Sequence, residues 1–115
     1  MDERLERALE FGNYMIALEN QKRILKEKYK EQLIYYHNKG QFTITTNFIT
    51  FLQTLINLKQ TETILIDDNE EPISIEDLKK FFVETLSIYF QATNDYHTEY
   101  AKLSLTRSVK SIVEL

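Results

Sequence analysis

Six carboxylates fall within eleven residues, Asp67, Asp68, Glu70, Glu71, Glu76 and Asp77. Oxygen ligands at that density suggest a calcium loop first. The spacing argues against one. With Asp67, Asn69 and Glu71 in the first, third and fifth ligand positions, Pro72 stands where the turn glycine belongs and Leu78 where the closing bidentate glutamate belongs. Negative charge just ahead of a helix N-terminus is stabilising by itself. The cluster therefore reads as structural, and no metal or other cofactor is expected.

The two histidines, His37 and His97, have no acidic residue three positions before them and no histidine four positions away. That spacing excludes the di-iron bundle and zinc-protease signatures. The only two glycines, Gly12 and Gly40, are too far apart for a phosphate-cradling loop, and no serine sits in a nucleophile elbow. The absence of cysteine removes thiolate nucleophiles, thiolate zinc sites and disulfides, and fits a reducing compartment. Carboxylates and tyrosines remain, and no pair among them is singled out by spacing. The expectation is a protein that is not an enzyme and takes no small-molecule substrate.

Binding chemistry has more to work with. Lys22, Arg23, Lys26, Lys28 and Lys30 interleave with Tyr29, Tyr35 and Tyr36. Cations beside stackable rings are what single-stranded nucleic acid binding uses. Against this, Glu19, Glu27 and Glu31 dilute the patch and the chain carries a net charge of -4, whereas dedicated nucleic-acid domains are usually basic. A nucleic-acid accessory role through Lys22, Arg23, Lys26, Lys30 and Tyr29 is the alternative expectation. The leading one is a protein contact. Ile75, Phe82, Tyr89, Tyr96 and Leu103 recur every seventh residue, the pattern of a helix laid along a partner helix. Tyr89, Tyr96 and Tyr100 are the rings expected to meet another chain or a second copy. The C-terminal Val109, Ile112, Val113 and Leu115 form an apolar end suited to docking in a groove, which makes residues 106–115 a candidate docking tail.

The elements that would position these residues are few. Two glycines and one proline leave little scope for tight turns, and 115 residues suffice for one core. Asp2 is a suitable cap for a first helix. Its stripe Leu5, Ala8, Phe11, Met15, Leu18, Leu25, Tyr29 and Tyr36 is interrupted by Lys22 and Gln32 and stops at Asn38, Lys39 and Gly40. Gln41 to Thr46 suits a short strand or a linker. Thr46 or Asn47 would cap a second helix continuing through Leu58 towards Leu65, although Thr63 to Ile66 could instead pair with Ile73 to Ile75. Ser74 and Asp77 resemble a capping box for a third helix.

No apolar run approaches the roughly 20 residues of a membrane span, and the charged N-terminus lacks signal-peptide character, so a cytoplasmic location is expected. The stretches Asn20-Gln21-Lys22-Arg23, Leu65-Ile66-Asp67-Asp68-Asn69 ahead of Pro72-Ile73, and Arg107-Ser108-Val109-Lys110 give the chain a likeness over nearly its whole length. It resembles the small conserved proteins of large tailed phages that infect marine cyanobacteria. The resemblance implies a phage setting, hence the host cytoplasm, and carries no activity and no functional residues.

The fold expected is all-α, a single helical domain over residues 1–115. Its three long helices, about 2–38, 46–65 and 75–105, would pack antiparallel with coiled-coil character, with loops at Gly40 to Thr45 and Asp67 to Ile73. The function expected is that of a non-enzymatic protein-binding or assembly factor that self-associates.

Overall fold

The computed structural model describes residues 2–114, with side chains described through Leu105. The elements in chain order are α1 (Glu3–Gln32), β1 (Ile34–His37), β2 (Gly40–Thr43), α2 (Thr46–Asn57), β3 (Thr63–Ile66), β4 (Pro72–Ile75) and α3 (Leu78–Glu114). Two antiparallel hairpins, β1-β2 and β3-β4, make this an α+β chain and overturn the all-α expectation. Nor are there three long packed helices: α1 and α3 are long, and α2 has 12 residues.

The first departure lies at Leu33. The three-four spacing of α1 gives way to alternation, so that Tyr35 is buried while its neighbour Tyr36 is 71 % exposed. β1 turns back through Asn38 and Lys39, both left-handed at φ 49 and 68, and His37 pairs with Gly40. Two left-handed residues between paired strands form the mirror-image turn whose twist matches a hairpin. The same Asn-Lys-Gly triplet suits a helix terminator, and only the β-rich flanks Ile34-Tyr35-Tyr36 and Phe42-Thr43-Ile44 separate the two readings. Gly40 itself is not left-handed. Its lack of a side chain serves a close approach, since a Cβ there would stand 2.6 Å from Ile73 Cγ1 of the other hairpin.

Thr45 Oγ1 accepts from Phe48 N and caps α2, in place of the expected Thr46 or Asn47. α2 ends in the Schellman pattern, Gln60 N bonding Leu55 O and Lys59 N bonding Ile56 O, with Lys59 left-handed at φ 63. That stop separates α2 from β3, so Thr63–Ile66 pairs with Pro72–Ile75 instead of prolonging the helix. Ser74 belongs to β4, and the α3 cap is Asp77 alone, its Oδ1 accepting from Lys80 N at 3.1 Å. α3 then continues past residue 105 to Glu114.

The two hairpins, α2 and the first turns of α3 form a compact head. Its core is centred on Phe81, 1 % exposed, whose ring meets Tyr35 at 5.2 Å, His37 at 5.1 Å and Phe42 at 5.4 Å. From this head α1 and the rest of α3 extend as an antiparallel pair. Contacts at Gln32–Asp95, Tyr29–Tyr96 and Lys22–Tyr100 descend one helix as they climb the other. The molecule measures 69 × 25 × 17 Å, and its radius of gyration of 21.2 Å far exceeds the ~13 Å of a compact chain this long.

Candidate protein interface

The acidic cluster joins the two hairpins. Asp67, buried, accepts from the backbone N–H groups of Gln41, Asn69 and Glu71 at 3.0, 2.9 and 2.8 Å. The bond from Gln41, followed by that from Glu71, holds its carboxyl below the ordinary aspartate range against the opposing effect of burial. Asp68 accepts from Thr43 N, Thr43 Oγ1 and Gln41 Nε2, while its own N–H donates to Gln41 O. These carboxylates satisfy the outer edge of β2, which would otherwise present unpaired backbone groups. Among the described residues, no group of three or more His, Cys, Asp or Glu side chains is placed to hold a metal ion.

Beside the head lies an open cleft of about 510 Å³, whose lining includes His37, Ser74, Glu76, Asp77, Lys80 and Glu84. Tyr35 donates its phenolic proton to Glu84 Oε2, and His37 Nδ1 stands 3.3 Å from the same phenolic oxygen. A phenol has one proton. With that O–H directed at Glu84, His37 must donate Nδ1–H to complete the chain. Burial first, then the bond to Glu84 and its charge, push the Tyr35 hydroxyl well above the ordinary tyrosine value. Tyr35 therefore stays protonated at neutral pH and ties β1 to α3; it is neither base nor nucleophile there.

The stalk accounts for the rings. Tyr89 and Tyr96 are half-buried on the face of α3 that meets α1, and Tyr29 packs on Tyr96 with ring centroids 4.8 Å apart. Burial, then the neighbouring Tyr89 and Tyr96, raise the Tyr29 hydroxyl above its ordinary value. Ile75, the first member of the seven-residue stripe, lies in β4 and not on the helix, while Tyr89 and Tyr96 meet Tyr29 of α1 in the same chain. Tyr100 is 39 % exposed, with Lys22 Nζ 5.9 Å from its ring centroid. Lys22, Lys26 and Lys30 lie one helical turn apart on α1. Tyr29 is already packed against Tyr96, and Arg23 pairs with Glu27 at 3.2 Å. The structure thus brings the basic residues into one row and takes from it the ring that would stack a base. Leu115, and the side chains of Val109, Ile112 and Val113, lie outside the described residues.

Among its charged residues the stalk also exposes large apolar side chains. On α1, Leu5, Leu9 and Ile16 are 52 %, 50 % and 63 % exposed and share a stripe turned away from the seam. On α3, Val83 and Phe90 are 62 % and 56 % exposed. The signal for the α3 surface was present in the sequence as a second four-three spacing, out of phase with the one through Tyr89 and Tyr96. Among the described residues, no helix is long and apolar enough to cross a membrane. No protein-family model matches the chain, and no curated protein or solved structure does either.

Proposed function

We propose that the chain is a non-enzymatic protein-binding or assembly factor that works through its stalk. The observation that supports this is the exposure of large apolar side chains on outward faces of both long helices, beyond what the α1–α3 seam covers. Isolated exposed apolar residues are ordinary, whereas several in register along a helix mark a contact surface. The head supplies a stable base, and the stalk carries the surface away from it. Its two-helix width also suits assembly, because such a pair buries only one face of each helix.

The test is affinity capture with the wild-type chain beside a Leu9→Glu, Ile16→Glu, Phe90→Glu triple variant, all three sites being exposed. On the resemblance to phage proteins, the lysate to search is that of an infected cyanobacterial cell. The wild type should retain a partner, or its own copy, that the triple variant loses with its circular dichroism unchanged. Equal retention by both, or retention by neither together with a monomeric wild type, would overturn the reading.

A further inference from the structure

We infer that the outward face of α3 is a seam for a second copy of this chain, with Asn94 at its centre facing its own equivalent. The inference rests on the protein-binding reading and names the partner for one part of that surface. Val83, Ser87, Phe90, Asn94, His97 and Ala101 follow one another at alternating steps of four and three, and all six are exposed. That alternation keeps a stripe on one side of a helix wound around another. The α1 seam uses the opposite side, through Tyr89 and Tyr96, so one helix carries two seams.

Charge indicates what covers the outer one. Between residues 83 and 105 the formal charges are Glu84, Asp95, Glu99 and Lys102. All four fall on one flank, where Glu84 accepts from Tyr35, Asp95 accepts from Gln32, and Lys102 pairs with Glu99. The outward face carries none over some six turns, in a chain that is 28% charged. A strip facing its own copy across a two-fold axis sets each residue against its own kind. A charged strip would repel itself there, and a neutral one does not. A strongly acidic or basic partner, by contrast, would find no counter-charge on this strip.

Asn94 lies midway between residues 83 and 105. A parallel pair in register brings Asn94 to Asn94, and an antiparallel pair does so when it is centred on that residue. A primary amide both donates and accepts, so two of them satisfy each other, and a single asparagine in such a seam fixes register in two-stranded pairs. Phe90 and Val83 supply apolar surface on one side of it, and Leu105, 68 % exposed, on the other.

The experiment combines mass in solution with crosslinking. Sedimentation equilibrium of the wild type, from micromolar to hundreds of micromolar, should show a dimer, and Phe90→Glu and Ala101→Glu should shift it to the monomer with helicity unchanged. The chain contains no cysteine, so Asn94→Cys introduces a single reporter. Under mild oxidation it should form a disulfide-linked dimer many-fold faster than Lys26→Cys, at an exposed position on α1. A wild type that stays monomeric at the highest concentration, or equal crosslinking by the two cysteine variants, would overturn the inference. A monomer that still captures a foreign protein, and loses it on Phe90→Glu, would overturn the second-copy seam and leave the protein-binding reading standing. A monomer that captures nothing would end both.

Discussion

Tyr35 on β1 donates its hydroxyl proton to Glu84 on α3, a hydrogen bond that joins residues 49 positions apart at the point where head becomes stalk. The tyrosine ring stacks on Phe81 one turn before Glu84, so the polar tie and the apolar core share one side chain. Tyr35→Phe keeps the stack and removes the donor, leaving the carboxylate short of a partner. A lost hydrogen bond to a charged group costs about 2 kcal/mol, which should appear as a lower urea midpoint at unchanged m-value. Glu84→Gln keeps an acceptor for the same hydroxyl and should cost less.

The same tie predicts alkaline sensitivity. Tyr35 and Tyr29 both hold their protons more tightly in the folded chain than at the ordinary tyrosine value of 10.0. A raised pKa stabilises the fold below the unfolded value, and that contribution is lost as pH rises through the folded one. Thermal stability should therefore decline above a pH of about 10, and Tyr35→Phe should flatten the decline. An unchanged slope in that variant would contradict the assignment.

Asp67 should act at the other end of the scale. Its carboxylate is held low chiefly by the N–H groups of Gln41 and Glu71. The stability it gives is present above the ordinary aspartate range and lost as pH falls through the lower folded value. Asp67→Asn lacks the charge and turns one oxygen into a donor among donors, so the variant should melt earlier than wild type at neutral pH. The gap should narrow in acid. The melting curve measured against pH for both proteins checks the sign.

Glycine placement gives a pair of opposite predictions. Gly40→Ala puts a methyl 2.6 Å from Ile73 Cγ1 and 2.9 Å from its Cδ1, where the hairpins press together, and should cost about 1–3 kcal/mol as overpacking. Lys59 holds the left-handed conformation at the end of α2, where a side chain is a burden. Lys59→Gly should leave the protein as stable as before or more so, by up to about 1 kcal/mol. Chemical denaturation of both variants tests whether the need for glycine follows close contact or turn geometry at each site.

The sequence showed the rods more clearly than the hairpins, for a definite reason. Helical periodicity accumulates over many turns, so the presence of α1 and α3 could be read, although the first helix was expected to run on to residue 38 and the Tyr89 and Tyr96 rings to meet another chain. Four-residue strands offer only two alternations each, and Asn38-Lys39-Gly40 suits a helix stop as well as a turn. At Thr63–Ile66 both readings were open, and the stripe running on from Leu58 favoured the wrong one. The deciding feature, the Schellman bonds at Lys59 and Gln60, has no glycine to announce it. Asp67 and Asp68 were visible as a cluster, but their bonds to Gln41 and Thr43 depend on two hairpins docking, which no local spacing encodes.

Lys22 offers a test of the stalk itself. It occupies a seam position among Met15, Leu18, Leu25 and Tyr29, with its side chain 28% exposed, its ammonium 3.5 Å from Glu19 and 5.9 Å from the centroid of the Tyr100 ring. The exposed ion pair and the cation over the ring are together worth about 1 kcal/mol. An apolar side chain buried at the same place contributes about 1.5–3 kcal/mol. The balance favours leucine, so Lys22→Leu should raise the unfolding midpoint by the equivalent of about 1 kcal/mol. A lysine in such a seam sacrifices stability for register, and the substituted stalk should lose in specificity what it gains in strength. Paramagnetic or fluorescence distance measurements between α1 and α3 should then broaden while the midpoint rises. A midpoint that falls instead would mean that the contacts of Lys22 with Glu19 and Tyr100 outweigh the apolar burial of the seam.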